Sequence, residues 1–284
     1  MLDLGCGIGV TLSAFGALAP EWELEGFDPN LKDARAVREL PGVVAIHNSS
    51  LSQLRPGYRC ITCFHVLEHI VEPLATLRQA RDLLADDGIL IVEVPYFRDN
   101  PFDLKIADHC THFVPETVVP LLARAGLEVV YCSTETIDRE ITIIARPATG
   151  RLIPGPPAEP EIAALRSSEA WLHAVIGVAA AAAEKRPFGI FGTSIAGTMV
   201  AGSLERAVDF FVDEDPTRIG GEHLSRPILA PASMPAGAHL MLALVPRVAA
   251  AVARRLASAA CTLYLPPPFP LRGNQVGDHE SSGN

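Results

Sequence analysis

The chain reads as an α/β protein, a seven-stranded Rossmann-like sheet followed by a second, smaller α/β Rossmann-like domain. Three observations predict this. Short apolar runs alternate with stretches of helical periodicity over residues 1–146. The first run ends in glycines at alternate positions, Leu2-Asp-Leu-Gly-Cys-Gly-Ile-Gly9. A proline-rich stretch at 147–160 then precedes a further strand–helix alternation over 161–265.

Leu2–Leu4 is a short strand running into a glycine turn, and Val10 to Ala19 has helix-forming composition. Glycine lets backbone approach a ligand closely, and a helix start offers free N–H groups. Trp22 to Asp28 is a second strand ending in an acid, nineteen residues past Gly9. A carboxylate at such a tip can accept hydrogen bonds from both ribose hydroxyls. Val43 to His47 and Tyr58 to Phe64 are strands three and four. Leu74 to Leu84 has helical spacing, Asp87-Gly88 stops it, and Ile89 to Pro95 is a buried fifth strand. Pro115 to Ala125 reads as a helix, and Leu127 to Cys132 and Glu140 to Ala145 as strands six and seven.

The spacing of the first turn separates two nucleotide folds. A dinucleotide fingerprint needs a third glycine at position 10, where Val10 stands. This disfavours a nicotinamide-dependent oxidoreductase. Asp3, Gly5, Gly7 and Gly9 instead form the acid-x-G-x-G-x-G pattern, which resembles the class I methyltransferases that use S-adenosylmethionine. His65-Val-Leu-Glu-His-Ile70 resembles the family's stretch after strand four, and the seven strands resemble its sheet, with an antiparallel last strand. The resemblance covers about residues 1–146. It implies S-adenosylmethionine as cofactor, held by Asp3, Gly5, Cys6, Gly7, Gly9 and Asp28. Pro29, Asn48 and Ser49 would edge the adenine, and Phe64 and His65 the methionine part.

The 284 residues are enough for two domains, and 49% hydrophobic content suffices for buried cores. No apolar run reaches membrane-spanning length and no secretory signal is visible, so a cytoplasmic protein with no membrane partner is expected. Of six cysteines, Cys60 and Cys63 have metal- or redox-like spacing without a second pair, and core roles on opposite strand faces are expected. A net charge of −10 without basic runs disfavours nucleic acid and favours a small-molecule substrate.

The stretch 147–160, with five prolines and two glycines, reads as a stiff linker. A helix is expected over 161–186, then a strand at Phe188–Phe191, a turn at Gly192–Gly197 and a helix to Leu204. Val208–Asp213, His239–Val245 and Thr262–Leu265 read as strands in a parallel sheet, and 266–284 as a disordered tail. This half resembles the C-terminal domain of sugar C-methyltransferases acting on nucleotide-linked deoxysugars, with the turn, the "FFVDEDP" strand end and the "RPILAP" strand in the same order. It departs from them in lacking the first-turn lysine and the N-terminal zinc domain. The helices that usually precede the first strand of the methyltransferase fold are also missing, so weak cofactor affinity is expected.

Methyl transfer is an in-line displacement, and a base matters only where the acceptor must lose a proton. Glu68-His69 after strand four and Asp108-His109 after strand five are acid–His pairs expected at the strand C-terminal ends. The loop from Arg98 to Val114 reads as a binding or lid segment. The sugar C-methyltransferase resemblance implies Asp108-His109 as the general base, with Phe113 matching an aromatic and His112 replacing a tyrosine. His69 is a further catalytic candidate, and Glu68-His69 also reads as a structural element flanking the cofactor. His65, His69, His109 and His112 define no ligand quartet, so no metal is assigned. The resemblance thus implies a small polar acceptor, a nucleotide-linked or other sugar, methylated on carbon or oxygen. The alternative is a non-catalytic scaffold that binds S-adenosylmethionine.

Overall fold

A computed structural model of the chain describes residues 1–30, 34–150, 160–204 and 207–269. The chain divides into two compact units, Met1–Leu165 and Arg166–Asn284.

In the first unit, β1 (Leu2–Leu4) leads through the glycine turn into α1 (Val10–Leu18). β2 (Leu24–Phe27), the short α2 (Ala34–Arg38) and β3 (Val43–His47) follow. Between β3 and β4 (Tyr58–Phe64) there is one 3-10 turn, Leu51–Gln53, capped by the Ser50 hydroxyl. α3 (Pro73–Leu83) opens on proline and buries Leu77, Ala80 and Leu83 on one face. β5 spans Leu84–Pro95, taking in Asp87-Gly88, which the sequence reads as a stop. The register with β4 breaks here, Tyr58 facing Leu84 and Cys60 facing Ile89, and at Gly88 a Cβ would lie 2.6 Å from the Tyr58 carbonyl, so only glycine fits this close approach. α4 (Pro115–Arg124) precedes β6 (Leu127–Ser133) and β7 (Glu140–Pro147).

These strands form one sheet in the order β3-β2-β1-β4-β5-β7-β6, with β7 antiparallel to both neighbours. The chain steps outward from β1 to β3, then returns to β4 on the other side of β1. The switch point, where open α/β sheets bind ligands, therefore lies beyond the C-terminal ends of β1 and β4. One apolar layer packs Leu12, Leu24, Val37 and Cys60. The other packs Leu2, Ile61, Cys63, Leu77 and Leu122. Cys60 and Cys63 thus face opposite sides of β4, as three-residue spacing in a strand requires.

The second unit is built on α5 (Pro160–Ala183), which crosses the unit boundary, β8 (Phe188–Phe191), α6 (Ile195–Ser203) and β9 (Phe210–Val212). β10 (Glu222–His223), β11 (Arg226–Leu229), β12 (Ala238–Leu242), α7 (Pro246–Arg255) and β13 (Cys261–Tyr264) complete it. The sheet order is β10-β11-β9-β8-β12-β13. It is parallel except for β10, which pairs antiparallel with β11. Of the expected linker, 151–159 lies outside the described residues and Pro160 opens α5. The expected disordered tail is corrected at its start. The Trp171 indole donates to the Pro267 carbonyl at 2.8 Å and its ring lies 4.8 Å from that of Phe269, so 266–269 run against α5. Residues 270–284 lie outside the described residues.

Candidate functional site

Gly5, Gly7 and Gly9 all have positive φ, of 76°, 48° and 82°. At Gly5 a Cβ would meet Val66 Cγ2 at 2.2 Å, so the loops after β1 and β4 touch and close the floor of the crevice. At Gly7 a Cβ would meet nothing nearer than the Gly5 carbonyl at 4.0 Å. A side chain there would project into an open cradle. The Gly5 and Cys6 amides donate to the Phe27 carbonyl at 2.7 and 3.1 Å, which locks the turn onto the end of β2.

That locking sets Asp28. Its Oδ2 accepts the Gly7 amide at 3.0 Å and its Oδ1 accepts the Asn30 amide at 2.8 Å. A carboxylate has about four acceptor sites. Two therefore remain, one on each oxygen, for a pair of vicinal hydroxyls. Pro29, Asn48 and Ser49 are exposed near this end of the sheet, and Ser49 donates to Gln53 at 2.6 Å.

Two of the expected cofactor residues face inward. Asp3 is buried, its Oδ1 accepting from the Thr62 hydroxyl at 2.6 Å, and burial pushes its pKa up to about 6. Cys6 is buried against Gly26, and burial pushes its thiol up to about 12. Only the Cys6 backbone lines the turn, so Asp3 and Cys6 act by supporting it.

The second half of the site hangs on β4 and β5. Phe64 ends β4, and His65 follows with φ of 54°, its amide donating to the Glu93 carbonyl at 2.9 Å. Its Nδ1 lies 3.6 Å from Glu68 Oε1 and 4.0 Å from Glu140 Oε2. The contact with Glu68 raises the His65 pKa against the opposing effect of burial. Burial pushes Glu140 up to about 7, with Glu93 and Glu68 adding in the same direction and His65 opposing. Glu68 is 1% exposed and Glu93 8%.

The segment 108–111 is stitched to the 3-10 turn Leu67–His69, because the Cys110 and Thr111 amides both donate to the Glu68 carbonyl, at 2.7 and 3.1 Å. The acid–His pairs differ from the sequence order. Glu68 faces His65. The Asp108 carboxylate lies 3.4 Å from His69 Nδ1, and its carbonyl lies 3.1 Å from the same nitrogen. His109 instead has Asp103 Oδ1 2.9 Å from its Nδ1, though not aligned as a hydrogen bond. Asp103 Oδ2 meets His112 Nδ1 at 3.0 Å. The expected Asp108-His109 pair is thus corrected to Asp103 with His109 and His112. Adjacent residues in this loop point apart, and Asp103 comes from the 3-10 stretch Pro101–Lys105. Phe113 is buried in the core. The Arg98–Val114 segment is accordingly held at both ends by buried Phe102 and Phe113, not open throughout as its polar composition implies.

Sequence reasoning missed Asp103, Glu93 and Glu140. A signal existed for Glu93, a lone charge inside the apolar run of β5. None existed for Asp103, whose partners come from tertiary packing. A separate cleft of about 760 Å³ is lined by Met1, Glu25, His47, Tyr58 and Arg59, and reaches the starts of β1 and β4. Its central carboxylate, Glu25 Oε2, already receives His47 Nε2 at 2.6 Å and the Tyr58 hydroxyl at 2.8 Å. The chemistry-bearing residues gather instead at the opposite ends of β1 and β4.

A sheet of this order, with a glycine turn after β1 and an acid at the tip of β2, defines the fold of class I methyltransferases. Residues 1–131 match the profile of a family described as methyltransferase domain. The matched stretch, residues 1–131, has the fold of an S-adenosylmethionine-dependent methyltransferase domain. The chain is 29% identical over 124 residues to the ubiquinone biosynthesis O-methyltransferase of Xanthomonas campestris pv. campestris, covering 41% of this chain and 52% of that protein. It thus spans about half the length of the curated relatives it matches. Among solved structures, the mitomycin 7-O-methyltransferase is 18% identical with a TM-score of 0.45, over 52% of this chain and 48% of that one. A methyltransferase of Clostridium acetobutylicum is 12% identical with a TM-score of 0.42, over 52% and 83%.

Proposed function

We propose that the chain transfers the methyl group of S-adenosylmethionine to a hydroxyl oxygen of a small polar acceptor. The single observation that carries this is Asp28. Two backbone amides fix it at the switch point, with two acceptor sites left beside a turn whose Gly7 leaves a cradle open. Bound there, S-adenosylmethionine supplies an electrophilic methyl on a sulfonium. Asp28 accepts the ribose hydroxyls, the Gly5–Gly9 backbone gives close approach, and Asp3 and Cys6 brace the turn from below.

The acceptor lies toward His65, His69 and His109. An oxygen nucleophile becomes competent as it sheds its proton, and Glu68 beside His65 raises that imidazole's pKa and so favours its taking one up. As the C–O bond forms, the C–S bond breaks with its electrons passing to sulfur. Oxygen as the methylated atom is supported by the similarity to a relative named as an O-methyltransferase.

A nucleotide-linked sugar as acceptor is supported by the second unit, which repeats the turn-and-acid design at smaller scale. Gly192 has φ of 93°, and Asp213 after β9 accepts the Thr193 amide at 3.2 Å and its hydroxyl at 2.7 Å. At Gly197 a Cβ would lie 2.0 Å from the Gly192 carbonyl. Incubation with methyl-labelled S-adenosylmethionine and a panel of hydroxylated acceptors, nucleotide sugars included, tests the proposal. Label on an acceptor oxygen is expected. Cofactor binding with no labelled product from any acceptor class would reject it in favour of a scaffold.

A further inference from the structure

We infer that Glu68, His69 and His109 form a binding site for a divalent transition-metal cation, of the zinc type, at the acceptor end of the crevice. Each of the three brings one ligating atom within 4.8 Å of the other two. Metal–ligand bonds of about 2.0–2.2 Å place neighbouring ligand atoms roughly 3–3.5 Å apart, so closure by about an ångström completes the triad. Two histidines and one carboxylate are a donor set that zinc and its neighbours favour over calcium or magnesium.

One orphaned polar atom points the same way. Glu68 Oε2 is buried without a hydrogen-bond partner among the described residues, on a side chain only 2% exposed. Leaving such a group unsatisfied is costly. A cation held by Glu68 and by the Nε2 atoms of the two histidines supplies what the protein atoms do not. Each histidine also has a carboxylate behind it, Asp108 at 3.4 Å from His69 Nδ1 and Asp103 at 2.9 Å from His109 Nδ1. That is how metal-ligating imidazoles are commonly oriented. The rings of His69 and His109 stand 4.7 Å apart at 84°, edge to face, and the Glu68 carbonyl holds the Cys110 and Thr111 amides so that the two loops stay together.

A second group, Asp103, His109 and His112, shares His109. There Asp103 Oδ2 is already bonded to His112, so Asp103 acts as the orienting carboxylate and the open valence lies on the Glu68 side. The role of the ion rests on the methyltransferase reading: bound beside the acceptor, it holds a substrate oxygen and lowers the pKa of a hydroxyl. The site itself does not depend on that reading.

The test uses the full chain, stripped with chelator and titrated with Zn²⁺ by calorimetry and with Co²⁺ by visible absorption. One equivalent of each is expected, and the bound Co²⁺ acquires ligand-field bands. His69→Ala and His109→Ala are each expected to weaken Zn²⁺ binding at least tenfold, and Asp108→Asn by about tenfold. His112→Ala is expected to change it less than threefold. Glu68→Gln, in the buried position, is read only alongside retained S-adenosylmethionine binding, which reports an intact fold. No Zn²⁺ or Co²⁺ binding by the parent chain, or binding equally tight in His69→Ala and His109→Ala, overturns the site. Zn²⁺ binding that persists where S-adenosylmethionine binding is absent overturns the methyltransferase reading and leaves the site standing.

Discussion

Replacing Asp28 by Asn separates the charge of that side chain from its shape. The carboxylate accepts the Gly7 amide at 3.0 Å and the Asn30 amide at 2.8 Å. It keeps one acceptor site per oxygen for the two ribose hydroxyls. Asparagine retains a single acceptor oxygen and turns an NH₂ group either toward a backbone N–H or toward a ribose hydroxyl. At least one charge-assisted hydrogen bond to the nucleoside is lost, worth about 1.5–3 kcal/mol. That corresponds to a Kd for S-adenosylmethionine raised about 10- to 140-fold. Calorimetric titration of both proteins with S-adenosylmethionine and S-adenosylhomocysteine reads this, with equal losses expected because the ribose is common to both ligands. Thermal unfolding is followed in parallel, since the turn also loses an internal bond. A Kd within threefold of the parent, in a variant that unfolds at the parent temperature, refutes the reasoning.

Other outcomes follow from the same geometry. Asp3 has a folded pKa of about 6 against 3.8 for the free group, so the folded state binds the extra proton and stability falls as pH rises from 3.8 through 6. The loss amounts to at most about 3 kcal/mol by pH 7, and Asp3→Asn, which keeps an acceptor for Thr62, is expected to abolish the slope in denaturant titrations at pH 5 and pH 8. Gly5→Ala places a methyl 2.2 Å from Val66 Cγ2 at φ of 76° and is expected to cost about 2–4 kcal/mol. The double variant with Val66→Ala should regain the steric part and not the conformational part, and complete recovery would contradict that division. His109→Ala is expected to remove turnover while the Kd for S-adenosylmethionine changes less than about threefold. Undiminished turnover would exclude His109 from the acceptor end.

The legible part of this protein was the part written in local pattern. Short runs dominated by apolar residues and bounded by Gly and Pro placed β1 to β4, because a strand in a covered sheet must bury apolar side chains and its turns favour residues that tolerate special backbone angles. The Gly5–Gly9 spacing carried the turn and pointed to Asp28. The start of β5 was hidden, because Asp87-Gly88 read as a helix stop and the register with β4 is broken there, Leu84 pairing with Tyr58 and Ile89 next with Cys60. β10 in the second unit, two residues long, is too short for any periodicity to register, and β11 was signalled only by the resemblance carried by "RPILAP". The acid–His pairing was illegible for a geometric reason. Sequence neighbours such as Asp108 and His109 were read as partners, yet the loop turns Asp108 toward His69 and brings Asp103 up behind His109. Glu140, on the antiparallel β7, reaches His65 only through the sheet register that sets β7 beside β5.

The central claim is a nucleoside grip at the switch point between β1 and β4, and a crystal of the full chain soaked with S-adenosylhomocysteine tests it most directly. The expected density places both ribose hydroxyls on Asp28 and the ligand against Gly5 to Gly9, with the sulfur directed toward His65. Ligand bound anywhere else, or an Asp28 carboxylate still bonded to Gly7 and Asn30 alone at saturating ligand, contradicts it.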